Sequence, residues 1–491
     1  MGEKWARVGV FVVAAEVFYL VLAARFPLAR LYARVPPVDF AKLTGYSLWA
    51  STGMLIAYVV LFGLLATLLA RAMGWSQQST GIPISPWGVL VAGVLFALTL
   101  FFVYPIFAID MLMYGVRTRL WLFYGANPFL VPPAAFPTDP WVGLTGEWIT
   151  ATSGYSPLWE IVALVPAWVA GPDRFLLHLW GLKAIALIAY LADVWLLSRL
   201  LMALHPGAVS ARLAYFAWNP LVLLELVGNG HNDGLMIMFV LLAVWLVVRQ
   251  REMAAHLALA ASVLVKVTPV FLWPLLWLWG VARRQTWAER LRYTASVTVI
   301  VLLTLGIFAV FLWPDPTPWQ ALRESDVSSR SPQTLAILLA MAAQVPQAYA
   351  RVQMAFRAVF VLGYASILLW LWRTLRNREP SQRTREEDLD ALIHAWLGVL
   401  VLLILIFASN WRPWYTTWLL ALAALSSSPV WTGGVFVLSF TAATGDVYWT
   451  NLRWRFRSYL TPLTAHLIGI PYVFGIPLAW STWRARTRVE R

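Results

Sequence analysis

Long apolar runs separated by short polar loops dominate this chain. A hydrocarbon layer needs about 20 apolar residues per helix, and on that measure the pattern predicts about 14 spans. They cover roughly 8–24, 48–70, 87–109, 175–197, 212–227, 233–248, 253–265, 268–282, 293–313, 352–372, 391–408, 413–427, 430–444 and 461–482. Several fall short of a full crossing, so they are predicted to be broken, tilted or re-entrant. Residues 157–170 are also apolar, but the stretch is short and holds Pro166. It is placed at the interface, within a long outer loop 110–174. The expected fold is an all-α polytopic membrane protein with one transmembrane domain over 1–491 and interfacial or re-entrant helices on its outer face. A second outer loop is expected at 315–350 and a charged cytoplasmic linker at 373–390. No repeat recurs at a fixed period. The first run follows Lys4 and Arg7 and reads as a signal-anchor without a convincing cleavage site.

Composition supports a lipid environment. Of 491 residues, 60% are hydrophobic and only 12% charged, about half the charged share of a soluble protein. Thirty residues are Trp, and many end apolar runs, where indoles sit at bilayer interfaces. With no Cys, disulfides and thiolate metal sites are excluded. The net charge of +14 comes almost wholly from Arg. These residues lie in short loops, which argues against nucleic acid and for anionic lipid headgroups.

With a cytoplasmic N-terminus, the inner loops carry Arg199 and Arg212, Arg249 and Arg251, Arg283 to Arg292, Arg373 to Arg385, and the basic tail. That obeys the positive-inside rule. Segment 25–47, with Arg25, Arg30, Arg34 and Lys42, breaks it on the outer side.

The polar landmarks then gather on the outer face. The helix over Trp87–Ile109 is predicted to run on for two turns, which sets Asp110, Tyr114 and Arg117 on one face at i, i+4 and i+7. A carboxylate beside arginines can take a proton from a hydroxyl or help hold an anionic headgroup; equally, Asp110 can mark a water boundary. Asn127 lies in GANPF, an ordinary turn signal. Tyr155 precedes Ser156 and Pro157, a good N-cap and first position for a helix. His231, Asn232 and Asp233 end GNGHND, where either of the last two could cap the next helix. Capping leaves the histidine unexplained, and His231 can donate to a phosphate. Lys266 sits between two apolar runs, where an ammonium must snorkel or find an anion. Arg330, among serines, could bind phosphate or be solvated. Arg412, Trp414 and Tyr415 lie in WRPWYTTW, either an interfacial belt or a sugar-stacking wall beside a cation. Arg453, Arg455 and Arg457 alternate with aromatics, as a headgroup-binding stretch would. No ligand cluster supports a metal; a divalent ion between Asp110 and Asp233 is the one conceivable arrangement.

Taken in order, these motifs resemble the GT-C superfamily of polyprenyl-phosphate-sugar-dependent glycosyltransferases, and within it the actinobacterial polyprenol-phosphomannose-dependent α-1,6-mannosyltransferases. The likeness rests on Asp110, Tyr114, Arg117 and Gly125–Phe129, on Tyr155–Pro157, on Asn219-Pro220 before Gly230–Asp233, on Lys266–Pro269, and on Pro413–Tyr415. It covers about residues 87–430. It implies an inverting transferase of the outer leaflet, moving a hexose, most simply mannose, from a polyprenyl phosphate to a lipid- or glycan-linked acceptor. Asp110 would be the general base. Lys266 and Arg412, with Arg330 or Arg117, would stabilise the phosphate, and His231 and Asp233 would position sugar or phosphate. Tyr155, Trp414 and Tyr415 would pack on the sugar. Many relatives carry paired acidic residues after the first span. Here Asp110 is single and follows the third, which suits a monophosphate donor without a cofactor. A transporter or flippase is the main rival, with Lys183 and Arg357 as inward charges. A non-catalytic subunit of envelope assembly is the third reading.

Overall fold

The structure is a computed structural model that describes residues 2–70, 72–75, 84–312, 329–376 and 384–489. The predicted start of loop 315–350, as far as residue 328, and Arg378 and Arg383 of the charged linker lie outside these residues. Among the described residues, helices account for nearly all regular structure; the sole bridge pairs Pro27 with Val103. Among the described residues seven helices are long and apolar enough to cross a membrane, or eight if the bent pair Pro220–Gly228 and Asp233–Val248 counts as one span. Five more apolar helices among the described residues, including Pro86–Phe101 and Glu252–Val265, are too short to cross alone. The chain is therefore an all-α, multi-pass membrane protein.

Helix starts follow local chemistry. Ser85, Ser331 and Thr461 each precede a Pro and accept a backbone N–H three residues on, at 3.2, 3.1 and 3.1 Å, so an orphan donor is capped just where Pro lacks one. Ser156, expected to act likewise, makes no capping bond. Trp49, Trp87 and Trp287 stand exposed in the first turns of their helices, as membrane-interface indoles do.

One predicted helix is two. The run from Trp87 does not reach Arg117; the helix stops at Phe101, and a new one begins at Asp110. The break contains Pro105. Its backbone groups are partnered by segment 25–47: Leu28 N–H donates to Phe102 O at 2.9 Å, Tyr104 N–H to Phe26 O at 2.8 Å and Phe40 N–H to Ile106 O at 2.6 Å. In an apolar surrounding such partners are obligatory. The basic loop that broke the charge rule is thus the strip that holds this break, with Arg25, Arg30, Arg34 and Lys42 exposed.

The two ends of the bundle differ in chemistry. At one end Arg284 pairs with Glu252 at 2.8 Å, Arg283 with Asp388 at 2.5 Å, Arg385 donates to Val247 O, and Arg212 donates to Ala424 O and Ser426 O. These are the loops predicted to face the cytoplasm. Helix Asp233–Val248 runs from there to the polar motifs, a length of about 24 Å at 1.5 Å per residue.

Candidate active site

Asp110 lies in the first turn of helix Asp110–Tyr124, where the aligned peptide dipoles favour a carboxylate. It is half-buried. Its Oδ1 accepts a hydrogen bond from the Tyr155 hydroxyl. The spacing of Asp110, Tyr114 and Arg117 survives, because it depends only on the second helix. Tyr114 packs edge-to-face on Tyr155 at 4.9 Å and on Trp159 at 4.7 Å. Its hydroxyl reaches Asn232 Oδ1 at 3.4 Å, joining the first motif to GNGHND.

That second motif is the hinge of the bent helix pair, turned by 115°. Gly230 has φ +74°, and a Cβ there would stand 3.2 Å from the Met111 sulfur, so the turn needs glycine on both counts. Neither Asn232 nor Asp233 caps the helix that follows. Asp233 instead accepts two hydrogen bonds on Oδ1, from Lys266 Nζ at 2.8 Å and Trp418 Nε1 at 2.6 Å, while buried Oδ2 has no partner among the described residues. Lys266 does not snorkel. Its ammonium lies 5.2 Å from the ring centres of both Tyr415 and Trp418, which stack at 4.5 Å. Such faces attract a cation.

His231 stacks on Trp414, with ring centres 4.0 Å apart. WRPWYTTW is thereby a buried wall of the site rather than a surface belt: Trp411, Trp414 and Trp418 are all buried. Arg412 is half-buried, and its side chain makes no hydrogen bond or ion pair among the described residues. It stands near enough to act electrostatically on Tyr415 and on the Arg330–Asp446 ion pair.

Asp110, Tyr114, Tyr155, His231, Asn232, Asp233, Lys266, Trp414 and Tyr415 are thus brought together, with Arg412 beside them. Three other residues are used differently. Arg117 is buried and donates to Ala151 O at 3.2 Å and Thr152 O at 3.0 Å, anchoring the strand of chain that leads to Tyr155. Asn127 forms its turn by accepting from Phe129 N–H at 3.0 Å, and donates to Phe311 O at 3.0 Å. Arg330 is held by Asp446. Arg357 is exposed rather than inward, and Lys183 is buried with its ammonium on the carbonyls of Leu100, Val227 and Gly228. It ties two helix ends together. Among the described residues, no three of His, Asp and Glu are grouped as a metal would need.

Sequence reasoning missed Glu225, Glu160 and Trp418. Glu225 lies 3.3 Å from His231, and Glu160 accepts from Ser153. The available signal was an acidic residue inside an apolar run, which is costly without a partner.

The sequence is similar to that of known proteins over most of its length. A family model described as the N-terminal domain of alpha-(1->6)-mannopyranosyltransferase matches residues 17–283. Alpha-(1->6)-mannopyranosyltransferase A of Mycobacterium tuberculosis is 24% identical over 407 residues, covering 76% of this chain and 72% of that protein. The protein of the same name from Corynebacterium glutamicum is 22% identical over 370 residues, covering 70% and 72%. The matched region spans the break, Asp110, the hinge and Lys266, and on that match the chain belongs to the alpha-(1->6)-mannopyranosyltransferase family.

Proposed function

We propose that this protein transfers mannose from a polyprenyl-phosphate donor to a hydroxyl of a lipid- or glycan-linked acceptor at the outer leaflet. The observation that carries the proposal is Asp110, half-buried and held on one oxygen by Tyr155, in a site flanked at Tyr415 by Arg412, whose side chain has no partner among the described residues. Tyr155 occupies Oδ1, so Oδ2 is the oxygen left to receive the acceptor proton. The acceptor oxygen attacks the anomeric carbon, and the bond to the phosphate oxygen breaks. Inversion would turn a β-linked phosphate donor into an α-linked product. Negative charge grows on the departing phosphate, where the Arg412 guanidinium would stabilise it more in the transition state than in the ground state. Lys266 already has an anion, so it acts by fixing Asp233 and the Tyr415–Trp418 faces.

The direct test is purified protein in lipid nanodiscs with radiolabelled polyprenyl-phosphate mannose or a nucleotide-linked mannose, followed by linkage analysis. Transfer from the lipid donor alone, with an α-1,6 product, is expected; transfer from the nucleotide sugar alone would sink the proposal. Two variants probe the assignment. Arg412→Ala is expected to lower kcat by about 10²-fold, the scale of losing one oxyanion-stabilising donor, with thermal stability unchanged. Tyr155→Phe keeps the ring and removes the hydroxyl. It is expected to cost about tenfold in kcat, as one hydrogen bond to a charged group would, and little in donor KM. A Tyr155→Phe protein with unaltered kcat would free Asp110 from dependence on the phenol.

A further inference from the structure

Glu225 is the acidic residue buried within the apolar run 212–227. It sits in a π-helical turn, Leu223–Gly228, and such bulges re-aim side chains that a regular helix would point elsewhere. Its Oε2 accepts from Asn229 Nδ2 at 2.8 Å and lies 3.3 Å from His231 Nε2. Phe107 N–H donates to Asn229 Oδ1 at 3.4 Å, which fixes the amide so that its NH2 faces Glu225. Both ring nitrogens are buried and neither makes a hydrogen bond among the described residues; Nε2 has the Glu225 carboxylate beside it, and Nδ1 has no ion-pair partner.

The surroundings of the imidazole are anionic. Glu225 faces it from the π turn, and Asp110 and Asp233, from the two adjoining helices, are close enough to act on it. Trp414 offers the negative face of its indole at 4.0 Å. Two nearby cations are turned away: Lys183 points at carbonyls, and Lys266 is paired with Asp233; Arg412, two residues before Trp414, is the one that is not. Burial works against a charged ring, but three carboxylates and an aromatic face together favour it. A protonated ring has an N–H on Nδ1, and a buried donor needs an acceptor.

We propose that Glu225 holds His231 as an imidazolium whose Nδ1–H hydrogen-bonds the phosphate of a lipid-linked sugar donor. The inference rests on the transfer reaction proposed above and adds a positioning residue, Glu225, and a protonation state to it. No proton changes hands; the imidazolium and Arg412, two residues before Trp414, meet the phosphate as two cations.

The test uses the full chain in nanodiscs with its six histidines labelled with 15N, His231 being assigned with His231→Asn. The wild-type His231 is expected to show both nitrogens protonated near neutral pH. Glu225→Gln is expected to move its titration down by about one pH unit or more. Farnesyl phosphate should shift the Nδ1 resonance, and farnesol should not. A neutral ring in the wild type, a Glu225→Gln protein titrating like wild type, or an Nδ1 indifferent to farnesyl phosphate would each overturn the proposal. In turnover assays, Glu225→Gln should lose kcat mainly at alkaline pH and add nothing to His231→Asn. A loss equal at every pH would reduce Glu225 to a packing residue and end the idea. The resonances need no turnover, so an intact imidazolium in a protein that transfers no mannose would sink the transfer reaction and not the dyad.

Discussion

Asp110→Asn abolishes mannosyl transfer while leaving the fold intact: that is the result expected with the largest kinetic effect. The amide keeps the shape and can still accept from Tyr155, but it cannot take a proton. Removing a general base costs about 10²–10⁴-fold in kcat. The structural penalty is small by comparison. Asp110 lies in the first turn of its helix, and losing a favourable charge there costs only about 0.3–1 kcal/mol. Kinetics and thermal unfolding of the same preparation therefore separate the two contributions. Turnover near the wild-type rate would place the base elsewhere.

The second large effect concerns stability. From the sequence, Lys266 reads as a cation waiting for a phosphate, so Lys266→Ala would impair donor use more than folding. The structure reverses that order. Lys266 is bound to a fully buried Asp233 at 2.8 Å, and removing one partner of a buried pair costs about 3–5 kcal/mol because the other charge is stranded. Lys266→Ala is expected to lower the melting temperature markedly. The double variant Lys266→Met with Asp233→Asn should recover much of that loss, since no unpaired charge remains. Its kcat then reports what the ammonium does for the reaction once folding is restored. A Lys266→Ala protein melting like wild type would show that Asp233 is satisfied by Trp418 alone.

Hydropathy locates Asp233–Val248 to the residue, because a polar turn bounds it on one side and Arg249 on the other. It overruns at Phe101, since FVYPIFAI stays apolar after the helix has ended, and Pro105 is the only sign of the break. The motifs around Asp110, His231, Lys266 and Trp414 are legible as separate oddities: polar groups where a membrane protein should have none. Their pairing is not legible. Asp233 and Lys266 are 33 residues apart, and Trp418 is 185 from Asp233; only helix packing decides that they meet. Glu225 escapes for a different reason. A π turn leaves no periodic trace in six residues, so a lone acid among Leu and Val looks like an accident of composition.

The wall formed by Trp414, Tyr415 and Trp418 belongs to the C-terminal part of the chain, whereas Asp110, Glu225, His231, Asp233 and Lys266 all precede residue 283. The site is therefore a joint, not a module. A protein cut after residue 283 would keep those ionisable groups and lose the flat surfaces against which they are set: His231 would have no ring beneath it and Asp233 no indole donor. The division also separates two kinds of change. Substitutions at Trp414 and Tyr415 reshape the face that a sugar would rest on and remove no hydrogen bond from a carboxylate, whereas one at Trp418 takes a donor from Asp233. On the proposed function, sugar packing and proton transfer would therefore depend on different stretches of the chain.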